Sequence, residues 1–211
     1  MTQAPAKRTF FALGRVENYT DAVFAIAATL LVLDLTTTAF GKISSDAELW
    51  HQLGAMWPSF MAFGVSSVLL GGLWVSHISQ FRDIARADIV LLWLNNARLL
   101  FIVLIPFTTS LVSEYSDYYA GRVLLPVNFF FAMALGIATW FWAASKDGHL
   151  LKDEAKPDAP SQTVGSVTAL IAGGVTVALS PWLGSWAFLT FAVSGPISGV
   201  LQKRRKATPS A

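Results

Sequence analysis

Continuously apolar blocks at about residues 19–38, 57–76, 89–111, 123–144, 164–180 and 182–201 constrain this chain more than any other feature. Each is close to the roughly 20 residues that a helix needs to cross a hydrocarbon core. Within lipid no water is available to the backbone, so a spanning segment satisfies its own N–H and C=O groups as a helix or shares them in a closed barrel. Barrel strands alternate apolar and polar residues over about ten positions, and these blocks do not alternate. The sequence therefore predicts an all-α, polytopic membrane protein with six transmembrane helices in a single domain over residues 1–205, followed by a disordered tail at 206–211. Composition points the same way. Apolar residues make up 54% of the 211 positions, charged residues 13%, and the mean hydropathy is +0.54, whereas soluble domains carry about 25% charged residues. The last two blocks meet at Ser180-Pro181-Trp182, which reads as a helical hairpin or a broken re-entrant pair.

Basic residues collect on the cytoplasmic side of membrane proteins. With the N-terminus inside, that side holds Lys7, Arg8, Arg15, Arg82, Arg86, Lys146, Lys152, Lys156 and the cluster at 203–206, and the outer side holds only Lys42 and Arg122. Both termini are thus expected in the cytoplasm. Residues 1–15 are polar and basic with no small-residue cleavage site after the first block, so no signal peptide is read and the first block is expected to remain. The 203–206 cluster reads as a topology anchor touching anionic lipid headgroups rather than as a nucleic-acid site. The charged, proline-containing stretch 145–162 reads as a mobile cytoplasmic loop.

The chain has no cysteine, which excludes disulfides and thiolate chemistry. His51, His77 and His149 are far apart in sequence with no second metal ligand at a useful spacing. With no nucleophile–base pair, phosphate loop or metal set, neither an enzyme nor a resident cofactor is expected.

Polar residues inside the spans are where function is most plainly written, because each ionisable group there costs about 2.5–3.5 kcal/mol unless partnered. The first span carries Arg15, Tyr19, Thr20 and Asp21 at its inner end, Thr29 midway, and Asp34 with Thr36, Thr37 and Thr38 at its outer end. At about 1.5 Å per residue, Asp21 lies at the depth of His77 on the second span and of Asn95, Asn96 and Arg98 on the third. One reading joins Arg15, Tyr19, Thr20, Asp21, His77, Asn95, Asn96 and Arg98 in a polar network locking three helices together. The other has each group reach the headgroups separately. Ile26, Leu30, Leu33 and Thr37 recur at helical spacing, about 140° around from Asp21, and form a stripe facing lipid, a neighbouring subunit or a central axis.

The run Arg15-Val-Glu-Asn-Tyr19-Thr20-Asp21 resembles the R-x-x-x-F-S-D first-helix motif of the transmembrane protein 175 family, with Tyr19 and Thr20 in place of phenylalanine and serine. Trp74-x-x-His77, Trp93-Leu94-Asn95 and Leu104-Ile105-Pro106-Phe107 strengthen the likeness, which covers about the first 110 residues. The resemblance implies a bacterial single-repeat member: a homotetrameric, potassium-selective cation channel whose first helices line a central pore. It implies potassium ions as permeant, a constriction of large apolar side chains at Ile26, Leu30 and Leu33, and a selectivity hydroxyl layer at Thr29. The chain has no TVGYG segment, so a carbonyl filter of that kind is not expected.

An apolar ring impedes ions by offering nothing in exchange for their hydration shell. Weak selectivity favouring the more cheaply dehydrated ion would follow. Asp34 and Thr37 are read at the outer pore mouth, where carboxylates would concentrate cations, or Asp34 instead pairs with Arg98 or a neighbour. Arg98 is expected to neutralise a buried carboxylate. Two other readings remain: a proton-coupled secondary transporter using Asp21, His77 and Arg98 as a relay, and a membrane scaffold with no transport. The expected location is the cell membrane, a bacterial plasma membrane, with lipids and further copies of the chain as partners.

Overall fold

Apolar blocks too long for strands and with no alternation coil into helices. The computed structural model describes residues 10–36 and 40–191. Among them, helix α1 (Leu13–Leu30) tightens into a 3-10 turn at Leu31–Asp34. It is followed by α2 (Asp46–Ala55) and α3 (Trp57–Asp83), then α4 (Ile89–Val103) and α5 (Ile105–Tyr115). The long α6 (Tyr119–Gly148) and α7 (Ala159–Leu183) come next, and a 3-10 segment over Gly184–Leu189 folds back on α7. Strand pairing among the described residues is limited to isolated bridges. Five helical stretches there are long and apolar enough to cross a membrane: Leu13–Asp34, Trp57–Asp83, Ile89–Tyr115, Tyr119–Gly148 and Asp153–Leu189. Half of the sixth expected block (192–201), Thr37, the 203–206 cluster and the 206–211 tail lie outside the described residues.

Four boundaries differ from expectation, each for a local reason. The third span is broken between Val103 and Ile105, because Pro106 in the first turn of α5 lacks the N–H needed to continue the ladder. The fifth block begins at Ala159, earlier than its apolar residues suggest. Pro160 suits a helix's first turn, where an N–H has no intrahelical partner. That helix also runs through Pro181 and turns at Gly184 (φ 53°) rather than at 180–182. Positive φ is cheap only for glycine.

The fourth difference is the stretch 145–162, which is docked rather than loose. Leu150 and Leu151 are buried. Ala85 N–H donates to Leu150 O (2.8 Å), Lys152 N–H to Asp83 O (2.9 Å), and the Gln162 amide to the Asp83 carboxylate. Charge and proline suggested a loop, but two leucines bury enough apolar surface to hold it against the end of α3.

The helices alternate in direction. α1, α4 and α7 begin, and α3 and α6 end, at one end of the bundle, which carries Arg82, Arg86, Lys146, Lys152 and Lys156. α6 is the central element, packed on α4, α5 and α7, while α1 leans on α3 and α4. Two apolar clusters result. The larger joins Phe24, Ala27 and Leu31 to Leu70, Leu99, Ile102, Phe129 and Met133. The smaller, at the basic end, joins Val16, Phe81, Ile84, Leu91, Trp140 and Leu150. Between them each of α1, α3 and α4 contributes buried polar residues: Thr20, His77, and Asn95 with Arg98.

Candidate ion pathway and its polar layer

One strip of α1 meets its own chain. Val16, Thr20, Phe24, Ala27 and Leu31, at steps of three and four, are buried. At about 100° per residue, Asp21, Ala25 and Ala28 fall to one side of that strip, and Ile26, Thr29 and Leu30 to the other. Both remaining sides are uncovered by the chain itself: Ile26 is 58% exposed, Leu30 38% and Leu33 68%. Thr29 is exposed too, its Oγ1 donating to Ile26 O at 2.8 Å. Asp34 is half-buried, and its Oδ2 is enclosed with no hydrogen-bond partner among the described residues.

The polar residues at mid-depth divide into three sets. Asn95 Nδ2 donates to Thr20 Oγ1 at 2.8 Å, tying α4 to α1. Arg98 Nη2 donates to Leu73 O at 2.9 Å and Nη1 approaches His77 Nδ1 at 3.4 Å, tying α4 to α3. A guanidinium has no acceptor, so His77 receives on Nδ1, and its ring also meets that of Phe81 at 4.1 Å in a tilted contact. Asp21 forms the third set, accepting from Trp74 Nε1 at 2.9 Å on the exposed side. No hydrogen bond links these sets among the described residues. Arg15, Tyr19 and Asn96 are exposed and outside all three.

Arg98 departs from expectation. Buried to 2% exposure, it forms no ion pair among the described residues, with Asp34 or any other carboxylate. The carboxylates on the spans lie elsewhere, so its charge is met by a helix carbonyl, the imidazole and the face of Phe24, 5.8 Å from Cζ. Room for it comes from Gly136 on α6, where a Cβ would stand 3.0 Å from Cζ. Sequence reasoning missed this glycine, the Leu73 carbonyl and the role of Trp74. Tryptophan one turn before His77 was a usable signal for the last of these, and a lone glycine in an apolar run signals little.

A further cluster sits at the basic end. Asp88 caps α4 by accepting from Leu91 N–H (2.9 Å) and accepts from Trp142 Nε1 (3.0 Å), with His149 Nε2 3.8 Å away. Among the described residues no group of His, Asp or Glu is arranged to hold a metal ion.

The polar first helix, the buried arginine and the tryptophan–aspartate contact lie within the stretch 15–106, which matches the family model for the endosomal/lysosomal potassium channel TMEM175. A potassium channel of Streptomyces collinus is 38% identical over 153 residues, 70% of this chain and 71% of that protein. The chain belongs to the TMEM175 family.

Among TMEM175 structures, that of a lysosomal potassium-selective channel TMEM175 homologue from Chamaesiphon minutus superposes with a TM-score of 0.68 at 25% identity. The match covers 93% of this chain and 98% of that one. The chicken endosomal/lysosomal proton channel TMEM175 is 31% identical over 135 residues, 60% of this chain but only 27% of that protein. TMEM175 membership and the long apolar helices make this an integral membrane protein of the bacterial type.

Proposed function

We propose that this chain is a potassium-selective cation channel, conducting passively through a central pore lined by α1 from several copies, four by the family resemblance. The observation that carries this reading is the pair of uncovered sides on α1. One bears Asp21 at intramembrane depth, and a carboxylate facing hydrocarbon is costly. Neighbouring copies covering that side remove the cost. With neighbours there, the opposite side, Ile26, Leu30 and Leu33, faces the common axis as the apolar constriction, and Thr29 supplies hydroxyls beside it.

Asp34, together with Thr37, is assigned to the outer mouth. Its one enclosed carboxylate oxygen shows that part of the group is turned into the protein. The basic end, with Arg82, Arg86, Lys146, Lys152 and Lys156, is placed in the cytoplasm of a bacterial plasma membrane. The names of relatives support a channel over other classes: the Streptomyces and Chamaesiphon proteins are potassium channels, and the chicken protein is a proton channel.

A proton-coupled transporter would need Asp21, His77 and Arg98 to exchange a proton. Asp21 is bonded to Trp74 while His77 and Arg98 bond each other, so the relay has no continuous path among the described residues. Reconstituted protein separates the two. A channel gives potassium flux that follows the electrochemical gradient without saturation. Saturable flux that requires a proton gradient would replace the channel with the carrier.

A further inference from the structure

Helix α2 belongs neither to the bundle core nor to the proposed pore. It starts sharply, with Ser45 Oγ accepting from Glu48 N–H at 3.2 Å, and none of its ten residues is buried. At about 100° per residue, Leu49, Trp50, Leu53 and Gly54 share one side of it, and Glu48, His51, Gln52 and Ala55 the other. Trp50 is 74% exposed and Leu49 is exposed too, so the apolar side is largely bare. A helix of this kind lies in a membrane–water interface or against another protein.

Its position favours the bilayer. α3 runs for 27 residues from Trp57 to Asp83, about 40 Å at 1.5 Å per residue. That length is a hydrocarbon core of about 30 Å with part of the headgroup layer at each end. Trp57 therefore stands at headgroup level, and only Met56 separates it from α2. Pro58, in the first turn of α3, has no N–H to give to Gly54, so the helical ladder is interrupted at that level. Other tryptophans mark the same level. Trp57, Trp182 and Trp186 are 63%, 78% and 70% exposed. They border one cleft at the end of the bundle opposite the basic one, where α3 begins and α7 ends. Tryptophan collects at membrane–water interfaces, where its ring is in apolar surroundings and its N–H is wet. Trp50, on the adjoining α2, is continuous with that set.

We infer that α2 lies along the bilayer surface at that end, within the headgroup layer, with Leu49 and Trp50 turned into lipid and His51 and Ala55 toward water. α2 carries no Lys or Arg, so its partner is the apolar interfacial zone of a phospholipid leaflet rather than anionic headgroups. The contact does not depend on what the pore conducts, and its test reads immersion in lipid rather than flux.

The chain has no cysteine, so a single introduced one takes a nitroxide label at a known place. Leu49→Cys, Trp50→Cys, His51→Cys and Ala55→Cys are all at exposed positions and empty no packed site. Each is labelled in the full-length protein in phosphatidylcholine vesicles. Relaxation of the label is then compared between oxygen, which concentrates in lipid, and a nickel chelate, which stays in water. Labels at 49 and 50 respond more to oxygen than to nickel, and those at 51 and 55 more to nickel, so the order reverses across the helix. A larger response to nickel at all four positions means that α2 stands in water and overturns the inference. Shielding of 49 and 50 from both agents overturns it in favour of a second copy covering that side.

Discussion

At the scale of single residues, the polar layer is built from short, specific bonds rather than one continuous network. The Asn95–Thr20 bond is fully buried, so Asn95→Ala leaves a hydroxyl without its donor and costs about 1–3 kcal/mol. Replacing both partners, Thr20→Val with Asn95→Leu, recovers most of that loss because no orphan remains. Thermal denaturation of the detergent-solubilised protein measures both, and additive losses would show that the bond carries little. Asp21 has a different role. Its partner Trp74 is on the same chain, yet the carboxylate stays exposed. Asp21→Ala is therefore expected to impair assembly, seen as a smaller particle by light scattering, more than ion preference. A well-formed oligomer with altered preference would contradict that role.

At the scale of elements, much of the fold was legible and the reasons for the rest are local. Apolar block length located α3, α6 and most of α1, because lipid leaves a long apolar segment little choice but helix. Periodicity grouped Ile26, Leu30 and Leu33 on one side of α1, but the buried strip Val16, Thr20, Phe24, Ala27 and Leu31 was visible only in the structure. The break at Leu104 was written in Pro106 but hidden by unbroken hydropathy across it. The docking of 145–162 was not legible, since it depends on Leu150 and Leu151 meeting the end of α3, a contact distant in sequence. Nor was Arg98's lack of a carboxylate among the described residues, because its substitutes are a backbone carbonyl and a gap at Gly136.

The docked turn stores strain. Lys146 (φ 50°) and Asp147 (φ 59°) precede Gly148 (φ 70°) in left-handed conformation, a region that costs non-glycine residues free energy. Gly148→Ala adds a third such penalty and sets a Cβ 3.1 Å from Lys156 Cγ. It should destabilise the turn by about 1 kcal/mol, read as faster amide exchange at Leu150, and unchanged exchange would remove the strain argument.

Helix α2 carries its own pH dependence. Ser45 Oγ accepts from Glu48 N–H at 3.2 Å, and Glu48 Oε2 accepts from Ser44 Oγ (2.6 Å) and Ser44 N–H (2.8 Å). The bonds from Ser44 hold the Glu48 carboxyl below its ordinary value. A lowered folded value means the contribution is complete above the unfolded value, about pH 4.3, and is lost as pH falls through the folded one. Exchange protection in α2 should hold from neutral pH to about 4.5 and decline below that. A decline starting near pH 6 would point to another group.

At the scale of the whole molecule, the account rests on copies of the chain hiding what one copy leaves bare. A single chain leaves α1 with a carboxylate on one uncovered side and large apolar side chains on the other, an arrangement suited to neither lipid nor water alone. The proposed assembly around α1 would resolve both, putting Asp21 against protein and the apolar stripe against a narrow, poorly hydrated axis. Ile26, one of the proposed constriction residues, is exposed in the single chain and outside its core clusters, so changing it alters the proposed pore lining without emptying a packed site. The direct measurement is the potassium-to-sodium permeability ratio, from reversal potentials in planar bilayers, for the unmodified protein and for Ile26→Asn. The account predicts potassium preference in the first. In the second, an amide hydrates the constriction, sodium current rises and the ratio falls toward unity. An Ile26→Asn channel with unchanged current and unchanged preference would contradict the assignment of this stripe to the pore.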